Sequence, residues 1–302
     1  MIICHDLNGD LTLSNIRLRQ AQKNRYDEFF TQIEDIDAEI AHYVEYLLDK
    51  TIFCNCNDYE ETNFYRYFKD NFLRLGLKKL IATKYEITGK PSYKIEICND
   101  LIVKKMQLKG NGDFRSDECI ELLKQSDIII TNPPFSRLQE YIMQLTSFNK
   151  KFIILGNINA VTYKRVFPLI IANKLFVHKN NNKSNMSFIN SSKQKIDLGG
   201  CRWFTNININ LKNSFLNLCK EYIPEKYPKY DNSDIINVNK VSDIPADYDG
   251  IIGVPITFLD KYNNNQFEIV GCSTKNKLKL YINGKEIYKR LFIKKIKSKM
   301  ND

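Results

Sequence analysis

Four consecutive residues, Asn132-Pro133-Pro134-Phe135, have side chains and carbonyl groups that could do chemistry. An Asn side-chain carbonyl beside the Pro133 backbone carbonyl offers two hydrogen-bond acceptors and no base. Such a pair suits the two hydrogens of an exocyclic amino group, and the Phe135 ring can stack on the heterocycle that carries it. The nitrogen lone pair of such an amine is delocalised into its ring. Accepting both hydrogens favours a tetrahedral nitrogen that can attack an electrophilic methyl group, so the quartet suits amino methylation. The alternative is a chance turn after a buried strand, and only the surrounding elements can separate the two.

Those elements are legible. Ile128-Ile129-Ile130 is an apolar, β-branched run that predicts a buried strand. Two prolines supply no backbone donor, so the ladder should stop at Asn132 and leave a rigid polar lip. Ser136 with Gln139 three residues on reads as a capping box, and Leu138, Tyr141, Ile142 and Leu145 keep helical spacing. Lys151-Phe152-Ile153-Ile154-Leu155 predicts the next strand. Strand, helix, strand is a parallel crossover, whose ligands bind at the carboxyl ends of the strands.

Upstream, Thr31 and Glu34 form a second capping-box signature ahead of a helix bearing Ile33, Ile36, Ile40, Tyr43, Val44 and Leu47. Thr51-Ile52-Phe53 predicts a buried strand, followed by the polar loop Cys54-Asn55-Cys56-Asn57-Asp58 and a helix with Phe64, Tyr67, Phe68 and Phe72, stopped by Gly76. A doubly wound fold holds its cofactor in such a loop, although this one lacks Gly-x-Gly. Leu80-Ile81-Ala82 starts another strand, and the alternation of Tyr93, Ile95 and Ile97 predicts an inserted hairpin. Flexible glycines in Gly110-Asn111-Gly112-Asp113-Phe114 place Asp113 to accept from a ligand amino group, while Ser116, Asp117 and Glu118 open a helix.

Beyond Leu155 the pattern loosens. His178 to Lys195 is basic, polar and aperiodic, which predicts a loop, either a solvated insertion or a DNA contact. The run Cys201 to Asn206 is strand-like and holds the only Trp, Trp203. Leu278, Leu280 and Ile282 alternate into Asn283-Gly284, a strong hairpin signal, and a basic tail follows.

Composition sets outer bounds. The chain has 302 residues, with Lys plus Arg at 45 against Asp plus Glu at 35, a formal charge of +10. A basic balance suits a polyanionic partner such as nucleic acid. Eight cysteines without a Cys-x-x-Cys, and only three histidines, indicate neither zinc nor a disulfide framework. The N-terminus has no basic-then-apolar leader and no stretch is long enough to span a bilayer, so a cytoplasmic protein is expected.

Several longer motifs carry a family likeness. They are Asp27-Glu28-Phe29-Phe30-Thr31-Gln32, Cys54 to Asp58, Leu77-Lys78-Lys79-Leu80-Ile81-Ala82, Gly112-Asp113-Phe114-Arg115-Ser116, Thr131 to Phe135, Pro228-Lys229-Tyr230-Asp231-Asn232 and Gly253-Val254-Pro255-Ile256-Thr257-Phe258-Leu259. With them the chain resembles the EcoRI-type adenine-specific DNA methyltransferases from about Asp27 nearly to the C-terminus. The resemblance implies an α/β fold with a doubly wound, mostly parallel sheet of the class I Rossmann-like kind and a less regular C-terminal, target-recognition portion. It implies methyl transfer from S-adenosyl-L-methionine to the amino group of a flipped adenine in double-stranded DNA, in a bacterial or phage setting. The cofactor-binding residues it implies are Phe30, Thr31, Asn55, Cys56, Asn57, Asp58, Tyr85 (or Glu86, at the ribose), Asp113 and Phe114, with Asn132, Pro133, Pro134 and Phe135 catalytic. Between His178 and Trp203 the chain is shorter than the EcoRI enzyme, so the recognition sequence does not transfer.

The expected organisation is a methyltransferase core over residues 21–172 and 201–260, a basic DNA-contacting loop over 173–200, and a C-terminal hairpin and tail over 261–302. Lys179, Lys183, Lys193, Lys195, Arg202 and Trp203 are the candidate DNA contacts. A monomer acting without a metal is expected, with a cognate restriction endonuclease as a possible partner. The rival readings are a methyltransferase acting on protein glutamine or RNA guanine, and an inactive DNA-binding relative.

Overall fold

The computed structural model describes residues 29–56, 62–179, 185–190, 194–209, 214–273 and 279–296. Asn57, Asp58, Lys183, Lys193 and the last residues of the basic tail lie outside them. Two compact units divide the chain. One runs through Asn157 and resumes over Lys179–Ile209; the other takes Ile158–His178 and the chain from Asn210 onward. The expected boundary therefore shifts: residues 210–260 join the C-terminal segment rather than the methyltransferase core, because their strands pair among themselves.

In chain order the first unit begins with β1 (Phe29–Thr31), α1 (Ile33–Ile40), α2 (Val44–Leu47), β2 (Thr51–Cys54), α3 (Asn63–Asp70) and β3 (Lys79–Thr83). It continues with β4 (Tyr93–Cys98), β5 (Val103–Gln107), α4 (Asp117–Gln125), β6 (Ile128–Thr131), α5 (Leu138–Ser147) and β7 (Lys151–Asn157). The second unit interposes α6 (Phe167–Ile171) and β8 (Phe176–His178), after which β9 (Asn185–Asn190), β10 (Lys195–Gly199) and β11 (Cys201–Thr205) return to the first.

Within the first unit the main sheet has the order β5-β4-β3-β2-β6-β7-β11. Strands β3, β2, β6 and β7 are mutually parallel, while the β4–β5 hairpin continues the sheet antiparallel at β3 and β11 runs antiparallel to β7. This is the mostly parallel, doubly wound sheet that the resemblance implies. Successive side chains of a strand face opposite ways. Ile52, Cys54, Leu80, Ile128, Ile130, Ile153, Leu155 and Trp203 thus share a core with Ile36 and Ile40 of α1 and Phe64 and Phe68 of α3. The intervening Phe53, Ile81, Ile129, Phe152, Ile154 and Phe204 are equally buried and face the other way. Burial on both faces explains why these strands read as unbroken apolar runs.

Several local expectations need correction. Thr31 does not cap a helix: it ends β1, and α1 follows an extended Gln32 with no side-chain cap. The single helix expected from Ile33 to Leu47 breaks after Ile40, where the Tyr43 phenol turns back to donate to Glu39 Oε1 at 2.9 Å. Ser136 likewise is no cap, because Phe135–Arg137 form a 3-10 turn before α5 begins at Leu138. The segment expected as a basic loop contains β9, which pairs antiparallel with β1 and β10 and buries Met186 and Phe188. Its apolar residues are few among polar ones, and of its two partners β10 is near in sequence but β1 lies more than 150 residues away, so the strand's place in a sheet was not legible locally.

Arg202 and Trp203 are also corrected. Both lie on β11, paired with Gly156 and Leu155 of β7, and are 4% and 0% exposed. The Trp203 ring meets Phe64 edge-on with centroids 6.2 Å apart. Neither side chain is presented to a duplex. Of the remaining candidate contacts, Lys195 is exposed at the start of β10 and Lys179 is half-buried.

In the second unit β12 (Ile236–Asn237), β13 (Ile252–Pro255), β14 (Phe267–Cys272) and β17 (Arg290–Lys295) form a sheet in the order β12-β13-β17-β14. The hairpin of β15 (Leu280–Ile282) and β16 (Lys285–Ile287) turns at Asn283 and Gly284, both at positive φ, as the Asn-Gly signal predicts. No helix among the described residues is long and apolar enough to cross a membrane.

As the chain's only Trp, Trp203 should emit at short wavelength, resist acrylamide, and remain unquenched when DNA is added. Trp203→Ala should cost about 3–5 kcal/mol in a urea melt, the usual penalty for emptying a buried aromatic site. An acrylamide-accessible or DNA-protected fluorophore would contradict the buried placement.

Candidate active site

The chain leaves β2 for β3 on one side and later lays down β6 and β7 on the other, so the winding reverses between β2 and β6. Ligands of open α/β sheets bind at such a switch point, beyond the carboxyl ends of the strands. Asp127 sets the alignment of this pair, its Oδ2 accepting from Thr51 N–H at 2.8 Å and its own N–H donating to the Thr51 carbonyl at 2.9 Å. Strand β2 then ends at Cys54 and β6 one register position further on, at Thr131, alongside Asn55.

At that edge the two predicted motifs meet. The Thr131 hydroxyl donates to the backbone carbonyl of Asn55, and the Tyr141 phenol of α5 donates to Asn55 Oδ1. Asn55 is 3% exposed. Cys56 then turns the loop with φ 63°, doing the work that a glycine does in the commoner phosphate- or cofactor-binding loop. Burial, with Cys119 and Asp113 nearby, pushes the Cys56 thiol well above the usual range. The shift favours the protonated thiol.

A second loop comes from the other side of the motif set. Glu86 N–H, just past β3, donates to the Asn111 carbonyl at 2.8 Å, and Ser92 N–H to the Gly110 carbonyl at 2.9 Å. Gly112 has φ 78°, and a Cβ there would lie 1.9 Å from the Lys84 carbonyl oxygen. Only glycine lets the chain pass that carbonyl and deliver Asp113 and Phe114. The Asp113 carboxylate accepts from Arg115 Nε at 2.9 Å and Arg115 Nη2 at 2.6 Å, and these bonds hold it below the ordinary aspartate range. It is thus an ionised acceptor with lone pairs to spare. Phe114 is buried edge-on to Tyr141 with centroids 5.1 Å apart, and its carbonyl accepts from Gln144 Nε2 at 3.0 Å.

The lip itself follows Thr131. Asn132 is half-buried, Pro133 is buried, and the Pro134 carbonyl is taken by Arg137 N–H at 2.9 Å as the 3-10 turn closes. Phe135 is 7% exposed and belongs to the same core as Ile128 and Ile130. Thr31 lies 2% exposed at the end of β1, and its carbonyl accepts from Asn63 Nδ2 at 2.8 Å at the start of α3. The buried hydroxyls of Thr31 and Thr62 have no hydrogen-bond partner among the described residues. Tyr85 is exposed on the loop after β3, and Phe30 sits on β1 opposite Ile189.

These placements bring Asn55, Cys56, Asp113, Phe114 and Asn132–Phe135 into one unit around the β2–β6 edge, and leave Arg202 and Trp203 out of it. Tyr141, Asp127 and Gln144 were missed as site residues. Helical spacing identified Tyr141 only as core, and nothing in a single sequence reveals that its hydroxyl has a long-range partner.

A doubly wound α/β domain whose switch-point strand ends in Asn-Pro-Pro-Phe defines an amino-group methyltransferase. A family model described as adenine-specific methyltransferase EcoRI matches residues 17–302. The chain belongs to that family of adenine-specific DNA methyltransferases. It is 41% identical to the Type II methyltransferase M.EcoRI of Escherichia coli, across 93% of this chain and 97% of the relative. It is 40% identical to the Type II methyltransferase M.MgeORF184P of Mycoplasma genitalium (91% and 98% covered) and 38% identical to M.MpnI of Mycoplasma pneumoniae (84% and 84%). No solved structure matches the chain.

Gly112→Ala should destabilise the protein by more than about 1 kcal/mol, because the new methyl group meets a backbone carbonyl at positive φ. Binding of an adenosyl ligand should fall with it. A melting curve and a calorimetric titration on the same sample check both, and a variant normal in each would show that the loop can take another path.

Proposed function

We propose that the chain transfers the methyl group of S-adenosyl-L-methionine to the N6 amino group of an adenine flipped out of duplex DNA, with Asn55, Cys56, Asp113, Phe114 and Thr31 holding the cofactor and Asn132 to Phe135 the base. The observation that carries this reading is the bond from Thr131, the residue directly before Asn132, to the Asn55 carbonyl. It supports placing cofactor loop and lip at one edge.

The residues fit such a cofactor. Asp113 is an ionised acceptor for an adenosine amino group, and Phe114 supplies an aromatic wall. The buried hydroxyls of Thr31 and Thr62, beside the loop and at the start of α3, suit the polar aminoacyl end. Asn57, Asp58, Phe30 and Tyr85 complete the proposed set. When bound, the cofactor supplies a methyl group already activated by a sulfonium, so the protein needs neither a metal nor a nucleophilic side chain.

The protein's part is placement. The Asn132 side-chain carbonyl and the Pro133 carbonyl accept the two amino hydrogens, which turns the nitrogen lone pair out of the ring plane; once the nitrogen carries the methyl group, one of these hydrogens leaves as a proton to solvent. Holding nitrogen and methyl in line supplies much of the rate. Flipping costs a few kcal/mol of stacking, which Phe135 offsets by stacking on the base. Because Phe135 is buried with the core, capture exchanges a core contact for a base contact. Lys179, Lys183, Lys193 and Lys195 neutralise phosphates. The enzyme is read as a monomer, with a restriction endonuclease that reads the same sequence as its counterpart.

Asn132→Ala should lower turnover by at least about 10²-fold while cofactor affinity stays near wild type, since the residue serves the base. Measuring both on one preparation tests the assignment; a near-normal rate ends it. Asp113→Ala should weaken cofactor binding by about 1.5–3 kcal/mol in calorimetry, the usual worth of a hydrogen bond to a charged group. Unchanged affinity would put the adenosine elsewhere.

A further inference from the structure

Tyr141 is fully buried on α5, where its spacing with Leu138, Ile142 and Leu145 makes it read as one more core residue. A phenylalanine would fill that space equally well. The hydroxyl must therefore be explained by its partner, because a buried phenol without one is costly. That partner is Asn55 Oδ1, on the loop after β2, 86 residues away in sequence.

An amide has an acceptor edge and a donor edge, and its two orientations are nearly equal in shape. The phenol could also accept from Nδ2, but a flipped amide would leave the buried O–H without an acceptor, since Asn55 Oδ1 is the one it reaches among the described residues; that selects the orientation with Oδ1 toward α5 and Nδ2 turned the opposite way. Burial raises the Tyr141 phenol well above its ordinary range, so it remains a donor at every pH at which the enzyme could work. The backbone of Asn55 is pinned separately, by Thr131. One face of α5 also holds the other loop: the Tyr141 ring packs edge-on against Phe114, and Gln144, three residues on, donates to the Phe114 carbonyl at 3.0 Å. The helix that follows the lip thus buttresses both proposed cofactor loops.

We infer that Tyr141 is a positioning residue whose hydroxyl orients the Asn55 amide so that its N–H edge serves the carboxylate of the cofactor's aminoacyl end, and so sets cofactor affinity; this rests on the cofactor placement proposed above. A reversed amide would turn a carbonyl oxygen toward that carboxylate, which repels rather than binds it. Loss of the phenol should act entirely through Asn55.

Four proteins test this: wild type, Tyr141→Phe, Asn55→Ala and the double variant, each titrated calorimetrically with S-adenosylhomocysteine and each melted. Tyr141→Phe should bind about ten-fold more weakly, as expected for one lost buried hydrogen bond, with a cooperative melt. Asn55→Ala should bind at least as weakly, and adding Tyr141→Phe to it should change nothing further. A role in packing alone would not give that non-additivity. Unchanged affinity in Tyr141→Phe while Asn55→Ala is impaired overturns the inference and leaves the site standing. The same loss in both backgrounds also overturns it, as would a Tyr141→Phe protein that does not fold. Normal affinity in Asn55→Ala, by contrast, shows that the placement of the aminoacyl end is itself wrong.

Discussion

A proline has no amide hydrogen, and two in succession after Asn132 end the β6 ladder where its neighbour continues. Strand β7 runs on to Asn157, beyond its last β6 partner Ile154, and finds its pairing on the other side in β11, where Cys201 opposes Asn157 and Trp203 opposes Leu155. A step in the sheet results. On its other flank β2 also stops, at Cys54, and the chain turns at Cys56. The edge at which the loop after β2 and the Asn132–Phe135 lip meet is therefore a consequence of the ladder's interruption. Gly156 shows how closely the prolongation of β7 is packed, since a Cβ there would lie 2.3 Å from Leu138 Cδ2 of α5 and 2.9 Å from Phe204.

The electrostatics around the step suit a reaction that depends on positioning. Cys54, Cys56 and Cys119 are kept protonated chiefly by burial, Tyr141 likewise, and Asp113 is ionised but paired with Arg115. None of these is tuned as a base near neutral pH. An enzyme that removed a proton before attack would need such a group; one that accepts two amino hydrogens on carbonyl oxygens does not. The Cys54-Asn55-Cys56 loop, which lacks Gly-x-Gly, also acquires a physical reading. The loop need not wrap a pyrophosphate closely, so a residue with a side chain can take the left-handed turn, and Asn55 is then free to be tied to β6 and α5.

In the second unit, two sequence motifs that look unrelated prove to be one packing arrangement. Gly253 lies against Tyr230, whose hydroxyl would be 2.2 Å from a Cβ at that position, and the Tyr230 hydroxyl donates to Asn237 Oδ1 at 2.9 Å. Asn237 Oδ1 also accepts from Arg290 Nε at 3.1 Å, while Asn239 Oδ1 accepts from Arg290 Nη2 at 3.0 Å, so the buried guanidinium is held by amide oxygens. Burial lowers the Arg290 pKa and raises that of Tyr230 to about 12. Asp231 then fastens the hairpin turn, accepting from Asn283 N–H at 2.9 Å and Gly284 N–H at 3.0 Å. These ties explain why residues 228–232 and 253–259 travel with 283–290 rather than with the core that precedes them.

What the sequence by itself determined is everything carried by local pattern. The parallel strands were legible because burial on both faces demands unbroken apolar runs, as in Ile128-Ile129-Ile130 and Phe152 to Leu155. The lip was legible because proline's missing donor acts wherever it stands, and the helix after Ser116 because that side chain does accept from Cys119 N–H. The tertiary structure decided what depends on partners far away in the chain. It made Thr31 the end of a strand, since β9 lies ready to pair with it, and buried Arg202 and Trp203 because β7 had an open edge. It gave Tyr141 its partner in Asn55 by bringing α5 against the loop after β2, through a strand order that no periodicity encodes. Local signals fix backbone preference within a few residues; a hydrogen bond across 86 positions exists only once the sheet is assembled.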